Sequence, residues 1–206
     1  MMNPSSGPPA AASDAEAALA ERAREGDLGA FNALVDLHQR AVYNLCLRML
    51  GSRMPAEDAA QEAFLSAYRG MRSFKGSHVR SWLMRIAANA CTDELRRRAR
   101  RPALSLDTPP PGTDDPVDVP DAAPGPEALA VRGEEHAIIQ AALLRLPADQ
   151  RLAVIMCDMQ GFAYEEIAAA MRTSIGTVKS RIARGRDKLR RDLAAAREHS
   201  GGESRP

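Results

Sequence analysis

Along most of this chain the apolar positions recur at intervals of three and four. From Leu28 they fall at Phe31, Leu34, Val35, His38, Val42, Leu45, Cys46 and Met49, which is one face of a helix with 3.6 residues per turn. A shorter helical pattern precedes it from about Ala15 and pauses at Gly26-Asp27. Gly51-Ser52-Arg53-Met54-Pro55 ends the long stretch, and Pro55 suits the first turn of the next helix. That helix is predicted to reach Gly70. It turns Ala60, Ala63, Phe64, Ala67, Tyr68 and Met71 inward and leaves Glu57, Asp58, Gln61 and Glu62 on the other side. After a loop over residues 73–78, a further helix begins near Val79, with Trp82, Ile86, Ala90 and Leu95 expected inside. It ends in the basic run Arg96-Arg97-Arg98-Ala99-Arg100-Arg101 before Pro102.

Residues 102–126 break the pattern. Pro, Asp, Gly and Ala alternate there, the acids are Asp107, Asp114, Asp115, Asp118 and Asp121, and no Lys or Arg occurs between Arg101 and Arg132. Such a composition reads as a flexible, extended acidic linker. Helical spacing resumes over 127–145, 148–159, 164–171 and 175–195, with Gly161 a natural C-cap. The expected fold is all-α. Two small helical domains, 15–101 and 127–195, flank a flexible acidic Pro-rich linker at 102–126, with disordered ends at 1–14 and 196–206. Composition agrees, because Ala, Leu and Arg dominate and aromatics make up 4%. These residues favour helices, whereas strands draw on β-branched and aromatic side chains.

Charge changes the picture more than its sum suggests. The net value is +1, but the cations crowd into 69–101 and 172–191 with the acidic stretch between. Two basic islands suggest a polyanion gripped at two places. The three cysteines, Cys46, Cys91 and Cys157, are odd in number and far apart, so they read as small core residues in a reducing compartment. No apolar run approaches the roughly 20 residues of a membrane span, and the start of the chain lacks a signal-peptide pattern. The expectation is a cytoplasmic protein without membrane insertion.

The stretch GFAYEEIAAAMRTSIGTVKSRIARGRDKLRRDL (161–193) carries the clearest motif. A short helix places Ile167, Ala168 and Met171 inward, a break follows at Arg172-Thr173-Ser174, and Ser174 is a natural N-cap for a helix from Ile175. On that helix Val178, Ile182 and Leu189 face inward. Thr177, Lys179, Ser180, Arg181, Arg184, Lys188 and Arg191 face outward. This is a helix-turn-helix, whose second helix fits the major groove and reads base edges near its N-terminus. Lys179, Ser180 and Arg184 are the base-reading candidates. Arg172, Arg181, Arg186 and Lys188 suit phosphates.

In the first domain Arg69, Arg72, Lys75, Arg80, Arg85 and the run from Arg96 surround Tyr68, Phe74, His78 and Trp82. Cations interleaved with rings suit single-stranded nucleic acid, although a Trp at helical spacing with Ile86, as Trp82 is, is more often a core residue than a stacking platform. Read by residues alone, the helix-turn-helix fits a self-sufficient regulator with an N-terminal ligand or dimerisation domain, and the basic, aromatic first domain argues for something more specific. A nucleic-acid enzyme fits poorly. The histidines 38, 78, 136 and 199 are scattered, no metal-ligand cluster, phosphate-cradling loop or nucleophile–base pair is present, and no cofactor or small-molecule substrate is indicated.

Three stretches together resemble the extracytoplasmic-function group of bacterial RNA polymerase sigma factors in the sigma-70 family: AEDAAQEAFLSAYRG (56–70), FKGSHVRSWLMRIAANACTDELRRRARRP (74–102) and LPADQRLAVIMCDMQGFAYEEIAAAMRTSIGTVKSRIARGRDKLRR (146–191). The resemblance implies a non-catalytic subunit that binds core RNA polymerase, recognises the −10 and −35 elements of promoter DNA and helps open it. Residues 15–101 would be region 2 and residues 127–195 region 4. It implies that Asp58, Gln61, Glu62 and Phe64 dock on the clamp coiled coil of the polymerase's largest subunit. The loop Lys75–Val79, with Ser77 and His78, would capture a flipped base. Arg80, Trp82, Arg85, Asn89, Arg96 and Arg97 would follow the melted −10 strand, with Asp93 on the same helix face. The helix from Ile175 would meet the −35 duplex through Thr177, Lys179, Ser180, Arg181, Arg184 and Lys188. It also implies a linker threaded through the RNA path, control by an anti-sigma factor and a signal-responsive role.

Overall fold

The computed structural model describes residues 10–76, 78–100 and 126–201; residues 1–9, Ser77, 101–125 and 202–206 lie outside the described residues, and so do the expectations that fall on them, the acidic linker among them. Among the described residues every regular element is helical. The first domain contains α1 (Ala10–Arg24), α2 (Leu28–Leu50), α3 (Arg53–Gly70), a 3₁₀ turn (Met71–Ser73) and α4 (Val79–Arg100). The second contains α5 (Pro126–Leu144), α6 (Ala148–Val154) continuing into a π-helical turn (Ile155–Met159), α7 (Tyr164–Met171) and α8 (Ile175–Gly201). The all-α, two-domain reading therefore holds. Residues 148–159 are one helical run with a widened last turn, and α8 carries on past residue 195 into the segment expected to be disordered.

Local chemistry sets the helix ends. Asp27 caps α2 by accepting from the Ala30 N–H at 3.0 Å, and its other oxygen holds Arg22. Gly51 ends α2 at φ 77°, a left-handed conformation that suits glycine. Gly161, at φ 71°, closes the π-helical turn, and the Phe162 N–H reaches back to the Met156 carbonyl at 3.0 Å.

The α2 stripe is buried as its spacing predicts, through Phe31, Leu34, Val42, Leu45, Cys46 and Met49. His38 is buried with them, its Nε2 3.3 Å from Glu16 of α1. Burial holds this imidazole below its ordinary pKa, against the pull of Glu16. Cys46 and Cys91 are fully buried on α2 and α4. A hydrogen bond between the two thiols, together with burial, pushes Cys91 far above the usual thiol range. Cys157 is half-buried.

Two expected stripes differ from the structure. On α4 the buried residues are Val79, Leu83, Met84, Ala87, Ala88 and Cys91, while Trp82, Ile86, Ala90 and Leu95 form a half-buried flank. Small Ala87 and Ala88 let α4 lie close to its neighbours, which leaves no room there for an indole. On α3, Ala60, Ala63 and Ala67 are buried, but Tyr68 is 52% exposed.

In the second domain, α8 packs on α6 through Val178 and Ile182, both buried. The gap in the apolar line between Ile182 and Leu189 is filled by Gly185, where a Cβ would lie 2.7 Å from Val154 Cγ2 and 3.4 Å from the Gln150 carbonyl oxygen. The helices thus meet backbone to side chain at that point. Gly185→Val is expected to lower stability by about 1–3 kcal/mol through overpacking. Urea unfolding checks this, and an unchanged midpoint would contradict the close approach.

Candidate nucleic-acid and polymerase interface

The helix-turn-helix is built from α7, a three-residue break and α8. Arg172 occupies the left-handed region at φ 49°, a conformation that costs a non-glycine residue about 1–2 kcal/mol. It lets the N–H groups of Arg172 and Thr173 return to the carbonyls of Ala169 and Ala168 at 3.4 and 3.0 Å. Ser174 caps α8 as expected, its Oγ accepting from the Thr177 N–H at 3.1 Å. Glu166 closes the start of α7 by accepting from the Ala163 N–H at 3.0 Å.

The cations of α8 fall into two groups. Successive residues turn by about 100°, so Ser180 and Arg184 lie opposite the Val178–Ile182–Gly185 stripe. Lys179 and Arg184 are exposed and have no ion-pair partner among the described residues. Ser180 is half-buried and donates to the Thr177 carbonyl at 2.9 Å, which leaves its lone pairs available. Thr177 belongs to the cap, with its hydroxyl 2.9 Å from that of Ser174. Arg181 braces α8 to α6 through Asp149, and Lys188 pairs with Asp192 one turn on, at 3.2 Å. Arg186 is held by Asp158 across to the π-helical turn, which pushes its pKa up. Arg172 and Arg191 are exposed and unpaired among the described residues.

In the first domain the predicted strand-binding residues are spread along α4. Lys75, His78 and Asn89 are exposed, and Arg85 is half-buried. Arg96 and Arg97 are exposed but pair with Asp93 and Glu94 on their own helix. Trp82 packs on Phe74 with ring centroids 4.7 Å apart and comes within 3.5 Å of the space beside Gly70, so part of its surface is structural. Arg80 is not free. It donates to the main-chain carbonyl of Gln160 at 2.6 Å and lies over the Phe162 ring, 4.6 Å from its centroid, in the second domain.

The acidic face of α3 is in the open, with Asp58, Gln61 and Glu62 all exposed. Glu62 stands 3.8 Å from Arg69. Phe64 is half-buried and lines an open, mostly apolar cavity of about 270 Å³ together with Leu28, Phe31, Asn32, Gln61, Leu65 and Tyr68. Leu28 and Leu65 are exposed apolar residues that sequence reasoning missed as part of this surface, and Tyr68, expected inside, is exposed beside them. Exposed Leu65, in the middle of an otherwise amphipathic α3, was the available signal.

The fold and these surfaces define a helical, two-domain DNA-binding factor with a helix-turn-helix at one end and a basic helix at the other. The Sigma-70 region 2 family matches residues 34–101, and the Sigma-70, region 4 family matches residues 136–189. The ECF RNA polymerase sigma-E factor of Escherichia coli (strain K12) is 37% identical over 83% of this chain and 90% of its own length. ECF RNA polymerase sigma factor SigE of Mycolicibacterium smegmatis is 38% identical over 80% of this chain, which spans 62% of that relative's length. Among solved structures, the sigma factor RpoE of Bartonella quintana, crystallised with the anti-sigma factor NepR, superposes with a TM-score of 0.64 at 27% identity, over 80% of this chain and 96% of that one. The chain belongs to the extracytoplasmic-function sigma factors of the sigma-70 family, the transcription-initiation factors that bring core RNA polymerase to −10 and −35 promoter elements. No helix among the described residues is long and apolar enough to cross a membrane.

The left-handed Arg172 gives a test of the turn. Arg172→Gly is expected to raise thermal stability by about 1 kcal/mol, because glycine adopts this conformation without the Cβ penalty. Calorimetry measures it, and a destabilised variant would mean the turn is not left-handed.

Proposed function

We propose that α8 reads the −35 duplex chiefly through Lys179, Ser180 and Arg184, with Arg172 and Arg191 on phosphates. The observation that supports this is the division of the α8 cations. Lys179 and Arg184 are exposed and without an ion-pair partner among the described residues, whereas Arg181, Arg186 and Lys188 are tied into ion pairs. Thr177 and Arg181 act mainly as scaffolding. The face of Lys75, Ser77, His78, Arg80, Trp82, Arg85, Asn89, Arg96 and Arg97 meets the melted −10 strand, where phosphates seek cations and bases stack on rings. Asp58, Gln61, Glu62 and Phe64 dock on core polymerase, joined by the apolar groove residues Leu28, Leu65 and Tyr68. A groove with an acidic rim and a few large apolar anchors suits a protein partner with basic edges.

The factor works without catalysing a reaction and without a cofactor, in the cytoplasm where the polymerase is. An anti-sigma factor controls it. The Bartonella quintana relative was solved with one, and this chain shares its two-domain arrangement.

Reconstituted transcription tests the reading. Core polymerase with this protein should yield a specific transcript from a promoter upstream of its own gene, and no transcript above core alone would refute it. Asp58→Lys combined with Glu62→Lys should abolish co-purification with core while helicity is retained. Lys179→Ala or Arg184→Ala should lose about 1–3 kcal/mol of discrimination at particular base pairs, measured by competition with mutated −35 duplexes. A uniform loss on all sequences would make them phosphate contacts.

A further inference from the structure

The polar side chains at the start of α8 are already engaged. The Ser174 hydroxyl accepts from the Thr177 N–H at 3.1 Å and lies 2.9 Å from the Thr177 hydroxyl, so both hydroxyls belong to the cap. Between them stand Ile175 and Gly176, both exposed. Each precedes a proposed base reader by four residues, Ile175 before Lys179 and Gly176 before Ser180. Residues four apart lie one above the other on a helix. The row that carries Lys179 and Ser180 therefore runs back through this pair to the tip of α8. In a helix that enters the major groove, the N-terminal residues are the ones that reach base edges.

The packing of the domain accounts for neither residue. Glycine is among the poorest helix formers, and a helix can keep one where a neighbour needs the room. Gly185 of the same helix is such a case, with Val154 Cγ2 2.7 Å from the place of its missing Cβ. At Gly176 a Cβ would meet only Ser174 Oγ, at 3.8 Å, an ordinary contact that alanine would make without strain. Ile175 is 39% exposed, whereas Val178 and Ile182 on the same helix are buried. It and Met159 are the large apolar side chains left exposed among the described residues of the second domain. A branched hydrocarbon chain neither donates nor accepts a hydrogen bond. On the base edges of the major groove its complement is the C5-methyl group of thymine.

We propose that Ile175 and Gly176 are specificity-determining residues of α8. Ile175 packs on the methyl group of a thymine in the −35 duplex. Gly176, having no Cβ, lets the first turn come close enough to the base edge for that contact. Lys179, Ser180 and Arg184 read hydrogen-bonding groups, and the first turn reads a methyl. This rests on the assignment of α8 to the −35 duplex.

The test uses holoenzyme assembled from core polymerase and the full chain. Duplexes randomised across the −35 region are selected on it, and each selected thymine is then replaced by deoxyuridine, which removes the methyl group alone. Wild type should enrich thymine at one position or more. Deoxyuridine there should weaken binding about fourfold, the worth of one buried methyl group. Ile175→Ala should bind the thymine and deoxyuridine duplexes alike. Ile175→Val, which keeps a branched chain, should retain part of the preference and serves if the alanine variant loses helicity. Gly176→Ala should raise the melting temperature of the free factor and weaken binding to the selected duplex, a pair of opposite signs that a glycine kept for folding would not give. Absence of a methyl effect at every position in wild type would overturn the contact, as would an undiminished effect in Ile175→Ala. Wild-type binding or a lowered melting temperature in Gly176→Ala would overturn the close approach. Failure of the −35 assignment itself would look different, because the pool would then return no enrichment at any position.

Discussion

The arrangement depends on the guanidinium of Arg151. It is buried, and its two terminal nitrogens serve three backbone carbonyls: Met49 at the end of α2, and Leu144 and Leu146 in the turn between α5 and α6. Burial lowers its pKa, yet arginine stays charged in proteins. A buried cation needs acceptors around it, since an unpaired one costs several kcal/mol. Carbonyls at a helix C-terminus carry partial negative charge that suits it. One side chain therefore fixes a turn in its own domain and, through the same fork, draws in the end of a helix from the other. The surrounding contacts from Gln140, Gln160, Glu166 and Arg80 are polar as well. Beneath these polar contacts the apolar residues of the second domain, among them Leu143, Leu146 and Leu152, belong to one hydrophobic cluster with Leu45, Met49 and Leu50 of the first, so the contact is polar at its edges and apolar within.

The helices were legible because their periodicity and their caps agreed. Asp27, Gly51, Gly161 and Ser174 each stand where a boundary was expected, and each makes or permits the expected backbone geometry. The inward face of α4 was less legible. Trp82 looks like the natural core residue of that helix, but alanines at 87 and 88 decide the packing by allowing close approach, and the indole is displaced to the flank. The site was legible in its residue types and not in their engagement. Arg80 and Arg184 look alike in sequence, and only the fold distinguishes a cation held by a neighbouring domain from one facing outward. The domain contact left no pattern to read. At the end of α2 its donors are Gln140 and Arg151 and its acceptors are backbone carbonyls some 90 to 100 residues earlier in the chain, and at the start of α4 Arg80 and Ser81 donate to Gln160 and Glu166 some 80 residues later.

The apolar groove beside α3 shows the same limit from the other side. Phe64 was expected in the interface and also in the core stripe, and it is half-buried, lining the cavity beside Leu65 and Tyr68. Phe31 and Tyr68 meet edge to face across α2 and α3, with centroids 5.1 Å apart. That contact holds the exposed tyrosine in one orientation and shapes one wall of the groove, which gives an apolar surface on α3 a defined form.

The sorting of cations on α8 has a consequence for how such a factor changes over generations. Arg181, Arg186 and Lys188 are anchored to acids, whereas Lys179 and Arg184 support nothing else among the described residues. Exposed positions of that kind usually tolerate substitution within about 0.5 kcal/mol of stability. On the proposed assignment, promoter preference is thus stored in side chains that the domain does not need in order to fold. A lineage can acquire new target promoters by changing a few exposed residues, with the turn, the cap and the braces of α8 left as they are.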